Sequence, residues 1–248
     1  MGEASRHPLV AVTGAGGAIG RKVVAELAAR GASVLALDLD ASTLEPLEAD
    51  LVDVAQCDTS DLDALRTVCR ASQQDRGPLR GFFANAGVQG PTKPVREVTE
   101  ADLLETYRVN VTGVFTGTRV AIELMSGHGG GGRIVNMASG SGIRGTANLS
   151  VYVSSKHAVV GLTRCAALEV AGDGISVNAL CPGCIDTPMM QAVAEGLGES
   201  EASISATIPA GRYAEVEEIA ETAAWLLLDA PIYLTGATVP IDGGWAAS

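Results

Sequence analysis

Short runs that are apolar at nearly every position alternate along this chain with longer stretches of helical periodicity, and few folds accept that pattern. The short runs are LVAVTG (9–14), SVLALD (33–38), VDVAQCD (52–58), GFFANAG (81–87), RIVNMAS (133–139), ISVNALCPG (175–183) and ATVPIDGG (237–244). The helical stretches are 18–30, where Ile19, Val23, Val24 and Leu27 form one stripe, then 60–74, 101–126, 151–171 and 215–229. A strand with no polar face is covered on both sides, and strands alternating with helices connect by right-handed crossovers. The pattern predicts an α/β fold, a single domain over 1–248 with a doubly wound parallel sheet of about seven strands and helices on both faces.

Charge and cysteine content narrow the function. A formal net charge of −12 would repel a phosphate backbone, so no nucleic-acid partner is expected. One bound dinucleotide remains compatible, because backbone N–H groups at a helix start hold a pyrophosphate without a basic patch. No run reaches the roughly 18 apolar residues of a membrane span, and MGEASRHPLVAVTG lacks the apolar core of a secretory signal. A cytoplasmic protein with no membrane partner is expected. The five cysteines then read as reduced thiols. Cys181 and Cys184 have C-x-x-C spacing, but His7, His128 and His157 form no paired motif to complete a zinc site, and no metal is expected.

VTGAGGAIGRKVVAEL runs from the first strand into the first helix, where a Rossmann sheet holds a pyrophosphate. Gly14, Gly16 and Gly20 give G-x-G-x-x-x-G, with Gly17, Ala18 and Ile19 inside the turn. Asp38 ends the second strand, 18 residues beyond Gly20, near the distance at which an acid meets the adenosine ribose. A carboxylate accepts from both ribose hydroxyls and repels a 2′-phosphate, and Gly17 and Leu39 bring no cation to offset it. The expected cofactor is NAD.

Further motifs follow in order: Asp58 and Thr59 in CDTSD, Asn85, Ala86 and Gly87 in NAG, and Asn110 in VNVTG. Then come Ser139 and Ser141 in VNMASGSG, Tyr152 and Lys156 as Y-x-x-x-K, Pro182 and Gly183, and Thr187 in IDTP. Ser139 precedes Tyr152 by 13 residues (139 to 152). Over nearly its whole length the chain resembles the compact short-chain dehydrogenases/reductases. The resemblance implies an oxidoreductase in which Tyr152 is the acid/base, Lys156 tunes it and binds the nicotinamide ribose, Ser139 holds the substrate oxygen, and Asn110 holds a relay water. It further implies that Asp58 and Thr59 meet the adenine and that Asn85–Gly87 lie beneath the adenosine ribose. Pro182, Gly183, Ile185 and Thr187 would line the nicotinamide. The resemblance also implies a homotetramer, formed through the helices at 101–126 and 151–171 and the last strand.

Tyr and Lys four residues apart share a helix face. A phenol ionises near pH 10, and an ammonium about 4 Å away at an effective dielectric of about 20 favours the phenolate by roughly 4 kcal/mol. That pairing would bring the phenol toward neutral pH. The family places a substrate lid after the Pro-Gly motif, here about 187–212. Met189, Met190, Val193 and Leu197 give it an apolar face, and Cys184 and Ser141 add to the pocket. A neutral, largely apolar secondary alcohol or ketone suits these residues, with Arg144 leaving an acidic substrate open. A 3-oxoacyl-carrier-protein reductase and a non-catalytic NAD sensor are the alternatives.

Overall fold

A computed structural model describes residues 8–129 and 131–247; His7, and Gly130 of the glycine tract, lie outside them. Seven parallel strands form one sheet in the order β3-β2-β1-β4-β5-β6-β7. They are β1 Leu9–Thr13, β2 Ser33–Asp38, β3 Val52–Gln56, β4 Leu79–Ala84, β5 Gly132–Met137, β6 Ile175–Pro182 and β7 Thr238–Ile241. Successive strand residues face opposite ways, so Phe82 and Phe83 of β4, both fully buried, belong to the two different cores flanking the sheet. The edge strands differ from the expectation of two covered faces. β3 and β7 are only partly buried, and Pro240 is accommodated in β7 because one side of that strand carries no ladder.

The helices are α1 Ala18–Ala29, α2 Leu62–Arg76, α3 Glu100–Tyr107, α4 Gly113–Ser126, α5 Ser150–Val170, α6 Pro188–Leu197, α7 Glu201–Ser205 and α8 Val216–Leu228. Val23, Val24 and Leu27 of the predicted stripe are buried, while Ile19 stays partly open at the sheet's carboxyl end. None of these helices is long and apolar enough to cross a membrane.

One expectation is corrected. The stretch 101–126 is not one helix: a π-helical turn over Arg108–Thr112 separates α3 from α4. Its cause is polar. Asn110, fully buried, pairs with the Val88 backbone, and the Thr116 hydroxyl donates to the Thr59 carbonyl as well as to its own helix. A single π turn of this kind often marks a functional site.

Strand order reverses between β1 and β4, and ligands of such sheets sit outside the strand carboxyl ends at that point. Thr13 and Asn85 hold the crevice open in a fixed shape. The Thr13 hydroxyl accepts from Asn85 N at 2.9 Å and Ala86 N at 3.1 Å. The Asn85 amide donates back to the Thr13 and Gly14 carbonyls.

Candidate active site

The crevice continues into a cleft of about 690 Å³. Its wall includes Gly14, Gly17, Ile19, Gly20, Asp38, Leu39, Asp58, Thr59 and Asn85–Gly87 on the glycine side. Around the carboxyl ends of β5 and β6 it includes Ser139, Ser141, Tyr152, Lys156, Pro182, Gly183, Cys184, Ile185, Thr187, Met189 and Met190. Every site residue expected from the sequence therefore lies on one wall, with the exception of Asn110.

The glycine turn is shaped to bring a ligand against backbone. Gly14 has φ +63°, and a methyl group there would lie 2.8 Å from Ala86 Cα. A methyl at Gly20 would overlap the Gly14 carbonyl. Gly20→Ala is accordingly expected to cost about 1–3 kcal/mol of stability, and an unchanged melting temperature would refute that steric account. α1 starts at Gly17 with no side-chain cap, and its first-turn residues Ala18, Ile19 and Gly20 face the cleft. An anion fits a helix start of this kind. Asp38 is aimed by two backbone donors, Gly16 N at 2.9 Å and Asp40 N at 3.2 Å. Asp58 accepts from the Ser60 hydroxyl at 2.7 Å and from Arg108 at 2.9 Å, and these bonds, Ser60's first, hold its carboxyl below the usual range. Arg108 itself lines the cleft and was missed in the sequence. Its only signal was its place two residues before Asn110.

At the other end, β5 delivers Ser139 in extended backbone just past its end, and α5 delivers Tyr152 and Lys156 on consecutive turns. Here the electrostatics differ from the sequence expectation. Lys156 is buried, donates to the Met137 carbonyl at 2.9 Å, and its Nζ lies 5.7 Å from the Tyr152 ring centroid. Burial raises the Tyr152 phenol, and the Ser139 hydroxyl beside it acts in the opposite direction. Burial also brings Lys156 down to about 8. Both groups are desolvated together, so the ammonium that was to lower the phenol is itself weakened.

A pH test follows. Between about 8 and 10.5 the unfolded chain holds the Lys156 proton and the folded chain does not, so stability gains as pH rises through that window. Relative to Lys156→Met, the wild type should gain about 2 kcal/mol between pH values of about 7.5 and 9.5 in denaturant titrations. A parallel pH dependence of the two proteins would exclude a desolvated ammonium.

Asn110 is behind the wall. Its Oδ1 accepts from Val88 N at 2.8 Å, and its Nδ2 donates to Val88 O at 2.8 Å and to Ser155 Oγ at 3.1 Å. The side chain thereby holds the Val88 segment, next to Gly87 and Lys156. At the C-x-x-C pair, burial pushes Cys181 up to about 11 and raises Cys184, which favours the thiol form of both. No cluster of three or more metal-ligating side chains occurs among the described residues.

The remaining wall is uncharged and largely apolar. Val193 and Leu197 of α6 join Met189 and Met190 there, with Leu149, Ile204, Thr207 and Trp245. Asp38, Asp58, Arg108 and Lys156 are the charged side chains on the wall among the described residues. Arg144, expected as an open cation, is turned away: it stacks on Trp245 at 4.4 Å from the ring centroid and donates to the Trp245 carbonyl. Ile143, beside Arg144 in sequence, is partly buried and packs against the core. Trp245, a hundred residues downstream, had no sequence signal tying it to the site.

A sequence-family model described as enoyl-(acyl carrier protein) reductase matches residues 14–246. Levodione reductase from Leifsonia aquatica is 36% identical over 253 residues, covering 97% of this chain and 94% of that protein. A crystal structure of levodione reductase superposes with a TM-score of 0.92 at 35% identity, over 97% of this chain and 98% of that one. The 2,5-dichloro-2,5-cyclohexadiene-1,4-diol dehydrogenase of Sphingobium indicum is 36% identical over 96% of both chains. The cis-4-hydroxycyclohexanecarboxylate dehydrogenase of Sinomonas cyclohexanicum is 35% identical over the whole of both.

Proposed function

We propose, from the premise that this chain belongs to the short-chain dehydrogenase/reductase family, that it is an NAD(H)-dependent oxidoreductase acting on a neutral, largely apolar secondary alcohol or ketone carried on a ring. The observation that carries this reading is the division of the cleft. Its charged side chains belong to the glycine side and to Lys156, and the α6 side of the wall is uncharged. Two of the relatives are named for six-membered-ring substrates, which favours a cyclic one here.

The α1 start would hold the pyrophosphate, Asp38 the adenosine ribose, and Asp58 and Thr59 the adenine edge. Asn85–Gly87 would lie beneath that ribose, and Pro182, Gly183, Ile185 and Thr187 would flank the nicotinamide. A bound nicotinamide supplies the hydride acceptor or donor. Tyr152 takes the hydroxyl proton in oxidation and gives one in reduction, and Ser139 holds the same oxygen. Lys156 would bind the nicotinamide ribose and tune the phenol. Asn110 acts by fixing the Val88 segment beside Gly87 and Lys156. Residues 187–212 form the lid, with Met189, Met190, Cys184 and Ser141 against the substrate. Exposed Leu104, Phe115 and Leu168 on α3, α4 and α5 support a homotetramer assembled through those helices.

The test is NADH formation from NAD⁺ with cyclic, linear and hydroxy-acid alcohols, with NADP⁺ run alongside. Turnover of a cyclic alcohol with NAD⁺ supports the reading. The description of the matching family model favours one second reading, a reductase of carrier-protein-bound acyl chains. NADPH-dependent reduction of the 3-keto group of a 3-oxoacyl thioester or the C=C bond of an enoyl thioester, without alcohol oxidation, would select it over the first.

A further inference from the structure

Trp245 lies beyond the last strand, yet its ring is built into the catalytic end of the cleft. A methyl group at Gly140 would meet it at 3.0 Å, so the indole rests directly on the turn that carries Ser139 and Ser141. The C-terminal turn is fastened on several sides. Asp242 accepts from Gly244 N at 3.0 Å and from Ala246 N at 2.8 Å. Gly243 O accepts from Ala210 N at 3.0 Å, just after α7. Arg144 grips both the ring and the carbonyl of Trp245.

The wall otherwise yields. Met189 and Met190 are unbranched side chains that adapt to many shapes and discriminate poorly. The aromatic side chains on the wall among the described residues are Tyr152 and Trp245, and only Trp245 is free of acid/base duty. A fixed aromatic surface in the same cleft as adaptable methionines rewards a rigid apolar ring and gives little to a short flexible chain.

We propose that Trp245, held in place by Arg144, is the residue that makes this cleft prefer ring-bearing alcohols and ketones over short open-chain ones. The inference rests on the reading of the cleft as an alcohol site. Trp245 is the specificity-determining contact, and Arg144 is a positioning residue.

The measurement is the ratio of kcat/KM for cyclohexanol to that for 2-butanol. Trp245→Ala should lower the ratio about tenfold or more, the scale of discrimination that pocket contacts supply. Trp245→Phe should keep it within about threefold, since a flat ring remains. Arg144→Ala should lower it in the same direction. In a Trp225→Phe background it should also shift Trp245 emission to longer wavelength as the indole loses its clamp. Should Trp245→Ala fail to fold, Trp245 emission in that background is titrated with cyclohexanone in the presence of NAD⁺, a pair that cannot react. A saturable shift supports the proposal, and none at saturating ketone overturns it. An unchanged ratio in a folded Trp245→Ala also overturns it. Absence of alcohol turnover in the wild-type enzyme would instead remove the underlying alcohol-site reading, whatever Trp245 does.

Discussion

Tyr152→Phe is expected to lower alcohol oxidation by about 10²–10⁴-fold while the protein melts at the wild-type temperature. The ring remains and only the phenolic oxygen goes, so packing on α5 is preserved. The pH profile adds a second readout. Oxidation needs the phenol as a base, so its rate should climb with pH, and reduction needs it as an acid, so its rate should fall. Burial raises the phenol, which puts the climb of the unliganded enzyme on the alkaline side. In Tyr152→Phe both slopes should flatten. A variant that keeps its rate and its slope would mean that the proton moves through another group, and the assignment of Tyr152 would be withdrawn.

Asp38→Asn carries the second large effect. The wild type should use NAD⁺ at least about 10²-fold better than NADP⁺, because two like charges about 4 Å apart at an effective dielectric of about 20 cost roughly 4 kcal/mol. Asparagine keeps an oxygen for Gly16 N, whose bond to Asp38 ties the glycine turn to β2. Charge and shape are thereby separated. NADP⁺ use should rise and the NAD⁺ preference should shrink about tenfold or more, with little change in melting temperature. A wild type that uses both cofactors equally would overturn the role given to Asp38. A variant that loses stability without changing preference would show that the carboxylate serves the turn alone.

Residues whose roles arise within one strand–turn–helix unit were legible in the chain. Gly14 to Gly20, Asp38, Ser139, and Tyr152 with Lys156 each sit at a strand end or a helix start whose geometry the local sequence dictates. Their ordered spacing was enough to gather them on one wall. The apolar runs likewise fixed the layering, because a strand such as β6, buried at all positions, can only be interior. The boundaries of the five predicted helical stretches were recovered closely except at Asn110, where a polar side chain reaches across to Val88 and the periodicity carries no trace of it; α6 and α7 were not among them.

Tertiary structure alone decided the rest. Arg108 reaches Asp58 from fifty residues away, and Arg144 meets Trp245 across about a hundred, so a cation expected in the pocket is instead its outer brace. The protonation of Tyr152 and Lys156 also belongs to this category. Their spacing predicted attraction between an ammonium and a phenol, but the burial that raises one and lowers the other comes from the strands, turns and helices that close around them. Spacing along a helix sets which side chains share a face. Desolvation and pairing depend on atoms brought from elsewhere in the chain, and only the folded arrangement contains them.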